Sequence, residues 1–213
     1  MLMKGGRPPA APLASRGSEL ALSAFLVLLL LWLHTWRRLF ECFFIRVFSN
    51  AMIHIVPDCF GLVYYVLLCL TVLSQVPMDG CSVYGIGKNP LMQARWFHIL
   101  GVMMFIWSFV HQYKCHVILG NLRKNKAGIV IHCNHRIPFG DWFEHVSSPN
   151  YLAELTIYIS MAVTFGFHSL TWWLVVTHVF SNQALSAFLN HRFYQSKPVS
   201  YPKHRKAFLP FLF

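Results

Sequence analysis

The chain has 213 residues, 56% of them hydrophobic and only 12% charged, with a formal net charge of +11. A soluble domain carries about a quarter charged residues. The charge deficit and the long apolar blocks exclude an ordinary soluble globule. The basic residues sit at the ends of those blocks, which speaks against nucleic acid as a partner and for membrane topology as the origin of the charge.

Residues 1–19 are rich in Gly, Pro, Ala and Ser and read as a disordered N-terminus. Leu20 to Trp36 is apolar and closes on Arg37 and Arg38. Lys4, Arg7 and Arg16 ahead of it fit a signal peptide, but no small-residue cleavage site follows, so a retained span is favoured. The second block runs from about Ile53 to Val76, with its firm core from Cys59 because Pro57 and Asp58 interrupt the start. Pro77 to Arg95 is polar, with Gly80, Gly85, Gly87 and Pro90 as turn signals. The third block is apolar from Trp96 to Val110 and continues as an amphipathic helix through His111, Lys114 and His116 towards Leu122. The fourth, Pro149 to Phe167, and the fifth, Leu170 to about Phe188, form a tight helical hairpin around Gly166 to Ser169. Each block is near the roughly 20 residues needed to cross hydrocarbon.

The expected fold is therefore an all-α polytopic membrane protein of about five transmembrane helices, forming one membrane domain over residues 20–213. With the C-terminus in the cytosol, 13 of the 18 Lys and Arg fall on the cytosolic side, and the N-terminus is luminal. The six cysteines contain no CxxC pair and read as reduced thiols.

The polar stretch from His111 to Glu154 is longer than a connector needs. Ser148-Pro149 reads as an N-cap followed by the first helical residue. Asn150 and Glu154 then share one helix face. A carboxylate within an apolar span tends to face a polar cavity. Beside an amide it can pair with a ligand amide such as nicotinamide. The alternative is a place for Glu154 in the headgroup layer. Arg123 and Arg136 are the better phosphate ligands, because a guanidinium forks and an ammonium does not. The lysines serve topology. His116 reads as a hydrogen-bonding group near a ligand. One HxxH pair, His132 and His135, falls short of the several His boxes of a di-iron oxygenase, so no metal is expected. There is no GxGxxG, Walker or GxSxG motif. A nucleotide would bind among helices and loops at the membrane face. The basic, then aromatic, tail fits an interfacial anchor.

Three blocks, HRIPFGDWFEHVSSPNYLAE at 135–154, HRFY at 191–194 and YPKHRKAFLPFLF at 201–213, resemble the C-terminal domain of the steroid 5-alpha-reductase family. The resemblance covers about Leu20 to Phe213 and is nearest to the branch that acts on polyprenal. It implies an NADPH-dependent oxidoreductase of the endoplasmic reticulum membrane, with seven spans, that reduces a carbon–carbon double bond conjugated to a carbonyl. In that branch the bond is in the α-isoprene unit of polyprenal, and the product feeds dolichol and N-glycosylation. Asn150, Glu154, Arg136, Arg123, Tyr194 and Arg205 fall on cofactor-site positions. Gln112 and His116 stand where steroid-reducing members carry Asn and Asp. Thr35 stands where they carry a substrate-facing Tyr. The first two family spans, with a carboxylate that polarises the substrate carbonyl, have no counterpart, so the expectation is an N-terminally shortened form with weak NADPH binding and little turnover. The catalytic residue stays unassigned. The rival reading is a membrane methyltransferase with a similar helical C-terminal site.

This layout predicts that glycosylation acceptor sites inserted in the 77–95 loop are modified in microsomes. Modification of acceptors near Lys124 instead would invert the topology.

Overall fold

Five α-helices carry most of the residues described by a computed structural model, which are 13–45, 55–75, 94–124, 137–197, 201–202 and 204–209. Helix α1 (Leu13–Phe40) runs into a π-helical turn, Glu41–Ile45. Then come α2 (Ile55–Leu73), α3 (Trp96–Asn121), a 3-10 turn (Asp141–Glu144), α4 (Pro149–Thr164) and α5 (Leu170–Gln195). No strand occurs among the described residues, and an isolated bridge joins Val146 to Lys206. The all-α expectation holds.

The boundaries follow local chemistry. Helix α1 starts at Leu13, inside the segment expected to be disordered. Leu, Ala, Arg and Glu there propagate a helix well. The third apolar block and its amphipathic continuation form one uninterrupted helix, α3. Ser148 and Pro149 take the N-cap and first helical positions, although the Ser148 hydroxyl makes no capping bond. The α4–α5 connection reverses through Gly166 (φ +73°) and Phe167 (φ +67°). Helix α5 runs past Phe188 to Gln195 because no helix breaker precedes Pro198.

One described helix, Glu19–Phe40 (22 residues, mean hydropathy 1.7), is long and apolar enough to cross a membrane, and Val63–Leu73 is a shorter apolar helix. The other described helices do not meet that measure. Helix α4 has only 16 residues, and α3 and α5 carry His, Gln, Ser and Asn along their length.

Packing is closest between α3 and α4, where small residues meet. A Cβ on Gly101 would collide with Thr164 Oγ1 and lie 2.8 Å from the Ser160 carbonyl oxygen. The buried core combines Val27, Leu31, Leu68, Phe105, Ile157, Met161 and Trp172. Trp172 Nε1 donates to the Tyr158 carbonyl at 3.1 Å, so the indole is satisfied as well as buried. At the N-terminal end of α3, His98 Nδ1 accepts the Arg95 N–H (3.0 Å). Its Nε2 therefore carries the proton and donates to Ser23 Oγ at 2.8 Å, fastening α3 to α1.

The surface inverts the soluble pattern. Phe25, Trp32 and Trp36 on α1, Val66 and Leu70 on α2, Ile99 and Met103 on α3, and Leu174 and Leu189 on α5 are exposed, while His34, Arg37, Glu41, Gln112 and Glu154 are buried.

Gly101→Ala should destabilise the bundle by about 1–3 kcal/mol, because the Ser160 backbone cannot move aside as a side chain can. Thermal unfolding in detergent checks this; an unchanged midpoint would show that α3 and α4 are not held at this distance.

Candidate functional site

Helix α1 is apolar for about four turns from Leu20, and it and the turn that follows then place His34, Arg37, Arg38 and Glu41 at i, i+3, i+4 and i+7. That spacing puts all four on one face. The face turns inward: His34, Arg37 and Glu41 are 0%, 6% and 2% exposed. Trp36 and Phe40, off that face, remain exposed.

Glu154, in the second turn of α4, meets this face. His34 Nε2 lies 3.1 Å from Glu154 Oε1, and Gln112 Nε2 on α3 donates to Glu154 Oε2. Arg37 binds the outer side of both partners. It donates to Gln112 Oε1 and, at 3.2 Å, to His34 Nδ1. A guanidinium only donates, so His34 Nδ1 is the acceptor and Nε2 holds the proton. The carboxylate thus receives a hydrogen bond on each oxygen. Arg37 also donates to the Phe109 carbonyl (3.1 Å) and packs 4.7 Å from the Phe109 ring centroid.

Glu41 forms the other half of the network. His116 Nδ1 donates to Glu41 Oε2 at 2.6 Å. Arg37 Nε approaches Glu41 Oε1 at 3.5 Å, and Arg38 Nη1 approaches Oε2 at 3.7 Å. Gln112 and His116, one turn apart on α3, therefore serve different carboxylates. Tyr65 on α2 completes the cluster, its hydroxyl 3.2 Å from His34 Nε2. Thr35 turns to its own helix and donates to the Leu31 carbonyl at 2.8 Å.

A second polar cluster lies before the start of α4. Gln195 Nε2 lies 2.8 Å from His191 Nε2. Since the amide donates, His191 Nδ1 carries the proton and donates to Ser147 Oγ at 2.6 Å. Burial, and then the Lys206 ammonium, hold this imidazole below its ordinary pKa. Tyr201 donates to the same Oγ at 2.5 Å, and Ser147 in turn donates to the Lys206 carbonyl at 3.0 Å. Ser147 has no capacity left, and His191 acts as its donor, so the pair is an anchor and not a nucleophile with its base. Backbone bonds from Ser147 N to Lys206 O (2.8 Å) and from Lys206 N to His145 O (3.1 Å) lay residues 204–206 along this segment.

Arg205 is 2% exposed. Its Nη1 donates to the Pro138 carbonyl at 2.7 Å. Its carbon centre lies 4.5 Å from the Phe139 ring and 5.7 Å from the Tyr201 ring. Arg205 Nε and Nη2 have no hydrogen-bond acceptor among the described residues, and Glu144 approaches Nη2 only to 3.6 Å. Tyr194 is buried and stacks on Tyr201, with centroids 6.2 Å apart and planes at 14°. Arg123 acts on the Tyr194 hydroxyl electrostatically.

The eight expected site residues thus divide. Gln112 and Glu154 meet in the interior, with His116 one step away through Glu41 and Arg37. Arg123, Tyr194 and Arg205 gather at the second cluster. Asn150, half-buried, sits between the two groups at the start of α4. Arg136, with His132 and His135, lies outside the described residues. The sequence reading passed over His34, Glu41, Tyr65 and Ser147. For the α1 face the signal was present in its spacing, but Arg37 and Arg38 were assigned to topology.

An all-helical bundle with an apolar exterior, whose apolar core encloses a hydrogen-bonded polar network around a buried carboxylate, is the class that this geometry defines. The sequence profile described as 3-oxo-5-alpha-steroid 4-dehydrogenase matches residues 59–213. The chain belongs to that family. It is 83% identical over 198 residues to a polyprenal reductase of Ailuropoda melanoleuca and 82% identical over 198 residues to one of Homo sapiens, each alignment covering 93% of this chain and 62% of the relative. A polyprenal reductase of Mus musculus is 74% identical over 213 residues, covering 100% of this chain and 62% of the relative. The chain therefore spans somewhat less than two thirds of these relatives' length. None of these relatives is a methyltransferase, and that reading is not favoured.

Ser147→Ala removes the acceptor for His191 and Tyr201 and the donor to Lys206. It should cost about 1–3 kcal/mol of stability and hasten proteolysis after Lys206. Unchanged cleavage kinetics would show that residues 204–206 are held by something else.

Proposed function

We propose that the chain is the C-terminal, cofactor-holding membrane domain (residues 20–213) of an enzyme that uses NADPH to reduce the α-isoprene double bond of polyprenal, on the route to dolichol for N-glycosylation. The domain is multi-pass, crosses the endoplasmic reticulum membrane about five times, and has its C-terminus in the cytosol. The observation that carries this reading is the buried Glu154 carboxylate, hydrogen-bonded on both oxygens inside a bundle whose outer face is apolar. The family membership and the names of the relatives support the reaction. The inverted surface supports the membrane, because apolar side chains outside and ionised ones inside suit lipid and not water.

The residues present fit a phosphate-bearing nicotinamide cofactor. Arg205 offers two buried N–H directions without an acceptor, on a guanidinium framed by Phe139 and Tyr201. Such a fork suits a phosphate. Tyr194 meets it through Tyr201, Arg123 acts on Tyr194, and Arg136 is proposed as a further phosphate ligand. At the other end each Glu154 oxygen, having accepted one bond, keeps a lone pair for a ligand amide. Asn150, about 6 Å along the helix from Glu154, supplies a complementary amide. Gln112 and His34 hold the carboxylate in place, and His116 holds Glu41 beneath them. When bound, NADPH would supply the hydride that adds to the β-carbon of the enal. Glu154 would orient the nicotinamide ring by its carboxamide.

The test is cofactor binding to the purified chain in nanodiscs. NADPH should raise its thermal midpoint and S-adenosylmethionine should not. Glu154→Gln puts a donor where the ligand's amide N–H needs an acceptor and should weaken NADPH binding by about 1.5–3 kcal/mol, or roughly ten- to a hundredfold. Equal affinity in a folded Glu154→Gln protein would remove Glu154 from the cofactor site. Stabilisation by S-adenosylmethionine alone would replace the reductase with a methyltransferase.

A further inference from the structure

We propose that the Tyr65 phenol donates the hydrogen bond that polarises the carbonyl oxygen of an α,β-unsaturated aldehyde bound beside Glu154. The role rests on the reductase reading above and assigns an acid that neither the sequence nor the relatives identify.

The argument starts from the proton on His34. Arg37 Nη2 donates to His34 Nδ1, so the imidazole proton is on Nε2. That one N–H faces both Glu154 Oε1 at 3.1 Å and the Tyr65 oxygen at 3.2 Å. Tyr65 is therefore the acceptor in this contact, and its own proton is not used there. The Arg38 guanidinium also donates towards the Tyr65 oxygen. With N–H donors on its oxygen and no acceptor for its proton among the described residues, the phenol is a polarised donor awaiting a partner. The ring is held edge-on by His34 (5.7 Å, 66°) and Tyr64 (6.1 Å, 61°), so the hydroxyl is fixed in position.

Position and chemistry agree. Tyr65 and Glu154 share His34 Nε2, so the donor sits next to the carboxylate that takes the nicotinamide carboxamide. The reaction needs a donor there. As hydride adds to the β-carbon, the carbon–carbon π pair shifts and negative charge grows on the carbonyl oxygen. A fixed O–H aimed at that oxygen stabilises the charge. A proton from water then joins the α-carbon, the aldehyde is restored and the nicotinamide is left oxidised. Other hydroxyls nearby are less suited. Thr35 spends its proton on the Leu31 carbonyl, and Tyr64 does not share the His34 N–H with Glu154 as Tyr65 does.

The test reads the carbonyl directly. The chain in nanodiscs, without NADPH, is loaded with a short isoprenoid enal carrying an isotope-labelled C=O, and its stretch is recorded by difference infrared spectroscopy. In the unaltered protein the stretch should lie below its value in alkane. Tyr65→Phe should return it towards that value, while Tyr64→Phe keeps the downshift. Arg38→Gln leaves the phenol in place but withdraws a cationic donor from its oxygen, so the downshift should shrink; this variant decides the matter if Tyr65→Phe does not fold. A full downshift in folded Tyr65→Phe, or in Arg38→Gln when that variant must decide, overturns the role of Tyr65 and leaves the reductase reading standing. Failure of the unaltered protein to bind the enal overturns both. Where a form of the protein turns over, Tyr65→Phe should lower kcat by about 100-fold or more.

Discussion

A carboxylate in the middle of an apolar bundle is tolerated only when hydrogen-bond donors replace the water it lost. Glu154 sets that condition, and two helices meet it. Helix α1 supplies His34, α3 supplies Gln112, and Arg37 binds both of them from behind. Withdrawing one partner from such a buried group costs about 3–5 kcal/mol, because the charge that remains has nowhere to go. The network therefore fixes the rotation of α1 about its axis. Once His34 and Arg37 point inward, Trp36 and Phe40 must point outward, as they do.

The close approach of α3 and α4 follows from the same need. Gln112 is a short side chain, and it reaches Glu154 only if the two helix backbones lie near each other. Gly101, with Ser160 and Thr164 opposite, provides that proximity two to three turns away. Small residues at one level and a polar contact at another hold the pair together. Membrane helices combine these devices when lipid gives no hydrophobic drive to association.

How far this was legible depends on distance along the chain. The start of α4 at Ser148-Pro149 and the shared face of Asn150 and Glu154 were readable, because capping and the helical period act within one turn. The apolar block ending near Phe188 does not mark the helix end, since hydropathy fades there while the helix continues to Gln195. The polar face of α1 was available in the spacing of residues 34, 37, 38 and 41 but was hidden by a competing explanation, since basic residues at the end of an apolar run usually mark topology. Glu41 could have exposed the difference, because a topogenic cluster has no use for an acid in its midst. The Ser147 anchor was not legible at all. Its partners, His191, Tyr201 and Lys206, lie more than forty residues away, and nothing local marks a serine in the N-cap region as a long-range acceptor.

The two polar clusters answer different chemical demands, and they lie on either side of the first turn of α4. At one end Arg205, framed by aromatic rings, keeps donors without acceptors; such a site suits an anion whose charge and position vary little. At the other end Glu154, Tyr65 and His34 form a neutralised interior that can accept and donate at once. In the reading proposed above, a ligand with anionic phosphates at one end and a neutral amide at the other would meet both demands. From Ser147 to Glu154 the spacing follows the rise of α4, about 1.5 Å per residue. Residues 204–206, laid beside Ser147, fix the anionic end relative to the same helix. A disturbance of that seam would shift Arg205 relative to Glu154 even with every side chain of the interior network in place. The precision of the buried site therefore depends on a contact outside it, between the segment before α4 and residues far along the chain.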